Sequence, residues 1–242
     1  MGDGDAAPHG EGRGVTSATP LPATPDHDVD RVGRPDGPIE LVRRRLGGRY
    51  PIDPFGADAQ LMDLVAPLTS AVVRVHVEHA DRLPDGGGAL LVANRGLGVF
   101  EPAVLAVGVR DATGRRVRVV GAPDVPVLGT AIRKLGALGY RADDVAALLR
   151  AGHLAAAPLG PTWIRPGAGE PPRDLLAAII GFPVVPVAVL PGGPLGLPIR
   201  RWRVIVGPIV ETEVGAVPGD HLVAAELAER VRDAVRALLA AG

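Results

Sequence analysis

Hydrophobic and polar positions along the chain fall into two alternating periods. Over 72–79, Val73, Val75 and Val77 alternate with Arg74, His76 and Glu78, the two-residue period of a strand with one buried face. Ala89-Leu90-Leu91-Val92-Ala93 holds no polar residue, which predicts a short strand buried on both faces. Leu83-Pro84-Asp85-Gly86-Gly87-Gly88 between them is turn sequence. Helical spacing is read over 39–46, 57–70 (interrupted near Pro67), 102–109, 127–138, 142–150 and 175–180. A further helix over 221–240 carries Leu222, Leu227, Val231, Val235 and Leu238 as its apolar face. Further strands are predicted at 117–120, 154–157, 184–190 and 204–206. Strands alternating with helices define an α/β domain with a mainly parallel central sheet and helices on both faces. Ligands of such folds gather at the carboxyl ends of strands, so the loops after Val92 and Ala157 are the places to look.

Residues 1–37 are rich in Gly, Pro, Asp and Ala without periodicity and predict a disordered tail before a domain over 38–242. The first fourteen residues include acidic ones and no apolar run, so no secretory signal and a cytoplasmic protein are expected. The segment 175–199 has no charge and is long enough by count to span a bilayer. Pro183, Pro186, Pro191, Pro194 and Pro198 break it, and it reads as helix end, buried strand and loop. Ile39 to Leu46 is basic and amphipathic, which fits either a solvated helix face or weak contact with anionic headgroups at the inner membrane face.

Composition removes several chemistries. With 26 basic and 27 acidic residues and 3% aromatics, the chain has neither the charge nor the stacking platforms of a nucleic-acid binder. It has no cysteine, and its serines are Ser17 and Ser70, so a serine or cysteine hydrolase is not expected. No group of His, Asp and Glu has metal-ligand spacing, and no cofactor is expected. His76 and His79 stand three apart on a strand and face opposite ways. Asp143 and Asp144 open a helix, where they complement its dipole.

Asn94-Arg95-Gly96-Leu97-Gly98-Val99-Phe100-Glu101-Pro102 leads from the buried strand into a helix. Gly96 and Gly98 form part of a dinucleotide fingerprint, but Glu101 stands where its third glycine belongs and no acidic residue closes a second strand. A more specific resemblance covers residues 40–210. Ala89 to Arg95 followed by Glu101-Pro102 resembles the first block of the lysophospholipid and glycerol-phosphate acyltransferase superfamily, where an apolar strand ends in Asn-His and an acid with Pro follows. Pro126 to Gly129, Leu135-Gly136-Ala137 and Tyr140-Arg141 resemble its second block. Ala157-Pro158-Leu159-Gly160 sits where that family has Phe-Pro-Glu-Gly, and Gly181 to Val189 is similar to its fourth block. Leu46 to Gly56 is similar to the lead-in of actinobacterial members.

The resemblance implies a glycerolipid-acyltransferase-like fold, an acyl-CoA or acyl carrier protein donor and a lipid acceptor. In that family a His deprotonates the acceptor hydroxyl and a carboxylate orients the His. Here Arg95 occupies the His position, and a guanidinium stays protonated at physiological pH and cannot act as a base. Glu101 lies one position beyond the family spacing, and Leu159 replaces the third block's Glu. The resemblance therefore implies a catalytically impaired protein that binds a lipid, an acyl carrier or a partner enzyme. The alternative is an active acyltransferase with a non-standard base, for which His153 is the candidate; its other reading is an ordinary surface histidine. Arg95 and Glu101 either pair in place of His and carboxylate or are separately solvated. Candidate substrate-binding residues are Asn94, Gly96, Tyr140, Arg141, Gly160, Thr162, Trp163 and Arg165. The rigid run 158–167 around Trp163 reads equally as a pocket lining or as a stiff surface loop.

Overall fold

The computed structural model describes residues 52–64, 73–95, 101–121, 133–160, 173–192, 201–212 and 215–242. All of them belong to one compact unit, Gly37–Gly242. The predicted tail, the helix at 39–46 and most of that at 127–138 lie outside the described residues. In chain order the elements are β1 (Arg74–Glu78), β2 (Ala89–Ala93), α1 (Glu101–Thr113), β3 (Val117–Val119), α2 (Ala142–Arg150), β4 (Leu154–Pro158), α3 (Arg173–Ala178), β5 (Val184–Pro191), β6 (Arg201–Val206) and α4 (His221–Ala241).

The six strands form one sheet in the order β1-β6-β5-β2-β4-β3. β5, β2, β4 and β3 run parallel to one another, β6 is antiparallel to β5, and β1 runs parallel to β6. The sheet is thus mixed and mostly parallel. Its central strand β2 has every residue at 0% exposure because both faces are covered. Side-chain alternation divides the core in two. Leu90 and Val92 face α2, α3 and α4, whereas Ala89, Leu91 and Ala93 face Val104, Leu105 and Val109 of α1.

The helix ends follow local chemistry. Asp220 caps α4, its carboxylate accepting from the amides of Leu222 and Val223. The buried stripe of α4 is Ala224, Leu227, Ala228, Val231 and Val235, while the predicted face residue Leu222, in the first turn, is 80% exposed. The predicted helix 127–138 also needs correction at its end. Gly136 has φ +92 and its amide donates to the carbonyl of Arg133, after which Leu138 lies extended beside Val120. The described part of the segment 175–199, as far as residue 192, holds the end of α3, a turn and β5, and among the described residues no helix is long and apolar enough to cross a membrane.

One buried ion pair fastens the residues before β1 to the far edge of the sheet. Arg118 of β3 is 4% exposed. Its guanidinium is hydrogen-bonded to the Asp53 carboxylate and donates to the carbonyls of Gly136 and Phe55. Asp53 also accepts from the amides of Phe55 and Ala57. Burial alone would raise its pKa, but the Arg118 hydrogen bond and charge together with the two amides bring it below the usual carboxylate value.

Candidate functional site

The carboxyl ends of β2 and β4 meet, and that junction carries the positions singled out in the sequence. The Leu159 amide donates to the Ala93 carbonyl at 2.7 Å, continuing the β2–β4 ladder one step past the strands. One residue further, Gly160 adopts φ +133, a backbone conformation open almost solely to glycine. The Arg95 guanidinium lies directly on it: a β-carbon at position 160 would stand 2.7 Å from Arg95 Cζ and 2.8 Å from Nη2. The two loops are therefore in contact through Arg95 and Gly160, and a side chain at 160 would displace the guanidinium.

Leu159 points the other way. It is 6% exposed and belongs to the core formed with α2, α3 and α4. Where the sequence resemblance places a carboxylate, this chain has a packed apolar side chain. Glu101 opens α1 and is 4% exposed, so it is a buried carboxylate rather than a solvated surface charge. Arg95 is partly buried, and burial lowers its pKa from the ordinary value; a guanidinium so shifted is still protonated at neutral pH.

Asn94, a candidate for substrate contact, is used to close the sheet. Its Nδ2 donates to the Val189 carbonyl at 3.0 Å and its Oδ1 accepts from the Val189 amide at 2.6 Å. The side-chain amide thus takes the place of a backbone peptide in the ladder between β2 and β5. That is why an Asn, and not merely any polar residue, ends the strand: donor and acceptor must be presented together.

Tyr140 and Arg141 follow the extended residue Leu138, whose pairing with Val120 is parallel, so they too lie toward the carboxyl ends of the strands. Tyr140 keeps 39% of its surface exposed, and its phenol pKa is raised, by burial first and by the Asp174 charge second. Arg141 is exposed and holds Asp144 at 3.5 Å. Gly96, Thr162, Trp163 and Arg165 lie outside the described residues.

His153, the fallback base, is at the wrong end of the sheet. It precedes Leu154, the first residue of β4, while the candidate site follows the last. Six residues at about 3.3 Å each separate it from Leu159 by roughly 20 Å. Its ring instead meets Phe55 edge-on at 6.1 Å. Sequence order alone suggested proximity to the loops; strand direction removes it.

A residue that the sequence reading passed over sits near the same edge. Trp202 of β6 pairs with Pro191, two residues beyond the Val189 held by Asn94, on the face covered by α1. It is 2% exposed, and among the described residues nothing accepts a hydrogen bond from its indole N–H. Arg201 and Arg203 on either side conceal it, because a strand flanked by charges does not read as buried.

These features define an α/β protein whose candidate site lies at the carboxyl ends of a mostly parallel sheet. The chain is similar to two mycobacterial proteins. One is "Uncharacterized protein ML2427" of Mycobacterium leprae (strain TN), 29% identical over 93% of this chain and 75% of the relative. The other is "Uncharacterized protein Rv0502" of Mycobacterium tuberculosis (strain ATCC 25618 / H37Rv), 29% identical over 96% of this chain and 79% of the relative. No family model matches the chain.

Proposed function

We propose that this chain is a glycerolipid-acyltransferase-like protein that has given up acyl transfer and binds a lipid, or the acyl carrier or enzyme that handles one. The observation that carries this reading is the junction of the β2 and β4 loops. The positions matching the family's base and its third-block Glu are adjacent in space, but one holds an Arg lying on Gly160 and the other a Leu turned into the core. A permanently protonated guanidinium can attract a phosphate or carboxylate but cannot remove a proton from a hydroxyl. Loss of both groups from one junction leaves a place suited to binding an anionic head without turning it over.

The alternative, an active acyltransferase with His153 as base, is weakened by the position of that residue at the amino end of β4. A cytoplasmic protein in peripheral contact with the inner membrane face is compatible with the exposed Leu135 and Tyr140, near in sequence to the exposed Arg133 and Arg141.

The test is paired. The purified protein is incubated with oleoyl-CoA and lysophospholipid acceptors, and release of free CoA is followed; the same acceptors are titrated calorimetrically. Binding of a lysophospholipid with no CoA release above the protein-free rate is the expected result. Turnover that disappears in an Arg95→Ala variant would establish a working enzyme and overturn the proposal.

A further inference from the structure

β1 ends the sheet: it pairs with β6 on one side, and among the described residues no strand lies on the other. Such an edge carries a row of backbone donors and acceptors available to another strand. Its side chains alternate. Val75 and Val77 are half-buried against the α1-side core, and a β-carbon at Gly108 would stand 2.6 Å from Val75 Cγ1, so α1 covers that face closely. Arg74, His76 and Glu78 lie on the opposite face, where Arg74 and His76 are exposed. In register across the ladder Arg74 meets Arg201, and among the described residues neither guanidinium has a hydrogen-bonded or ionic partner. Like charges directly opposite each other destabilise a sheet. Glu78 accepts from Arg203 Nε through Oε1 at 2.8 Å, and no described group donates to its Oε2. The edge thus presents an unpaired cation at one end and a half-used carboxylate at the other.

We infer that β1 pairs antiparallel with β1 of a second copy of this chain, about a two-fold axis at His76. In this register every position of the strand is matched. Arg74 faces Glu78 of the second copy, Val75 faces Val77 of that copy, and the two His76 side chains face each other. Symmetry makes two Arg–Glu pairs on one face and two Val–Val pairs on the other, both kinds that stabilise antiparallel strands. The carboxylate brought beside Arg74 also offsets its repulsion from Arg201. At the axis one imidazole can donate to the other. Other pairings match less. A parallel pairing in register sets Arg against Arg and Glu against Glu, and a one-residue slip turns the valines of one copy to the charged face of the other. Charges of a single sign would repel a second copy in every register, whereas this alternation of signs selects one.

Five paired residues on each side make a small interface, so sedimentation velocity of the full chain should show a reversible monomer–dimer equilibrium between roughly 10 and 500 μM. Arg74→Glu sets Glu against Glu and Glu78→Arg sets Arg against Arg, and each should weaken dimerisation at least about tenfold. Mixed in equal amounts, the two variants should associate with each other, because each meets the opposite charge at both ends of the strand. A covalent readout is independent of those charges. The chain has no cysteine, so His76→Cys places one thiol per copy at the axis. Directly opposite residues of an antiparallel pair hold their β-carbons about 4.5–5.5 Å apart, near the span of a disulfide. Oxidation with diamide should give a covalent dimer, whereas Arg74→Cys, whose thiols would lie four residues or about 14 Å apart along the strands, should stay monomeric. A wild-type protein that remains monomeric at the highest concentration overturns the pairing, as does a dimer unmoved by either charge variant. Equal disulfide formation by the two cysteine variants overturns the register, and so do two charge variants that are folded by circular dichroism yet fail to associate when mixed. If Glu78→Arg unfolds through loss of its bond to Arg203, the cysteine variants decide the outcome.

Discussion

Placing at position 159 the carboxylate that the resembling family carries should destabilise this protein. Leu159 is 6% exposed among residues of α2, α3 and α4, so Leu159→Glu removes an apolar side chain worth about 1.5–3 kcal/mol of burial. The carboxyl group must then either be buried charged or take up a proton. Protonation sets the ceiling on that second cost: from a reference pKa near 4.3, neutralising a Glu at pH 7 costs about 3.7 kcal/mol. At pH 5 the same ceiling is only about 1 kcal/mol. The folded-state pKa lies above the unfolded one, so the penalty is smallest below about pH 4.3 and grows as pH rises toward the folded value. Urea denaturation of wild type, Leu159→Glu and the non-ionising control Leu159→Gln at pH 5 and pH 7 measures this. Relative to wild type, Leu159→Glu should lose up to about 2.7 kcal/mol more at pH 7 than at pH 5, and Leu159→Gln should show no such difference. A Leu159→Glu protein within about 1 kcal/mol of wild type at both pH values would mean that the side chain turns to the loop surface. That would sink the claim that the core has taken over this position.

Three further outcomes follow from the geometry. Asn94→Ala leaves the Val189 amide and carbonyl without their partner in a buried ladder, and should cost about 2–4 kcal/mol in urea denaturation, with faster hydrogen exchange at the Val189 amide. Arg118→Met should cost about 2–4 kcal/mol, less than a wholly buried pair because the Asp53 side chain keeps 32% exposure. The Asp53 pKa is lowered on folding, so the pair's contribution is present above the ordinary carboxylate pKa and is lost as pH falls through the lower folded value. The gap between thermal melts of wild type and Arg118→Met should therefore narrow below about pH 3.8 to the part due to the Gly136 and Phe55 carbonyls, and a constant gap down to pH 2 would refute the assignment. Gly160→Ala should cost about 1–3 kcal/mol through φ +133, and a double-mutant cycle with Arg95→Ala should recover the part due to the displaced guanidinium.

The strands and helices were legible where one period dominated. The all-apolar run Ala89 to Ala93 is the doubly buried centre of the sheet, and 72–79 shows its alternation as Val75 and Val77 packed against the α1-side core. Legibility failed where a residue's neighbours disguise its surroundings. Arg201 and Arg203 hid the first half of β6 and with it Trp202. Leu222 matched the helical period but is exposed in the first turn of α4. The site was legible as a pair of loops because both follow apolar strands, which set their location. His153 stood out only by nearness in sequence; it precedes β4 while the junction follows it, so the length of the strand, about 20 Å, lies between them.

The three residues at the β2–β4 junction depend on one another. A charged side chain at 159 would need solvent or a partner, and the Ala93 bond to the Leu159 amide holds that residue against the core, which offers neither. With Leu159 turned inward, the next residue must reverse the chain with φ +133, and only glycine does so without strain. The bare Cα of Gly160 then leaves the flat surface on which the Arg95 guanidinium rests. A His at 95 would be shorter and could not cover that surface, nor hold a charge there at neutral pH. Introducing into this trio a single residue of the resembling family's catalytic pattern should therefore confer no activity. Even Arg95→His combined with Leu159→Glu should release no CoA from oleoyl-CoA, because the inward packing of residue 159 keeps the two groups from acting on one substrate. CoA release by that double variant, at a rate absent from either single one, would show that the loops can still adopt the working geometry.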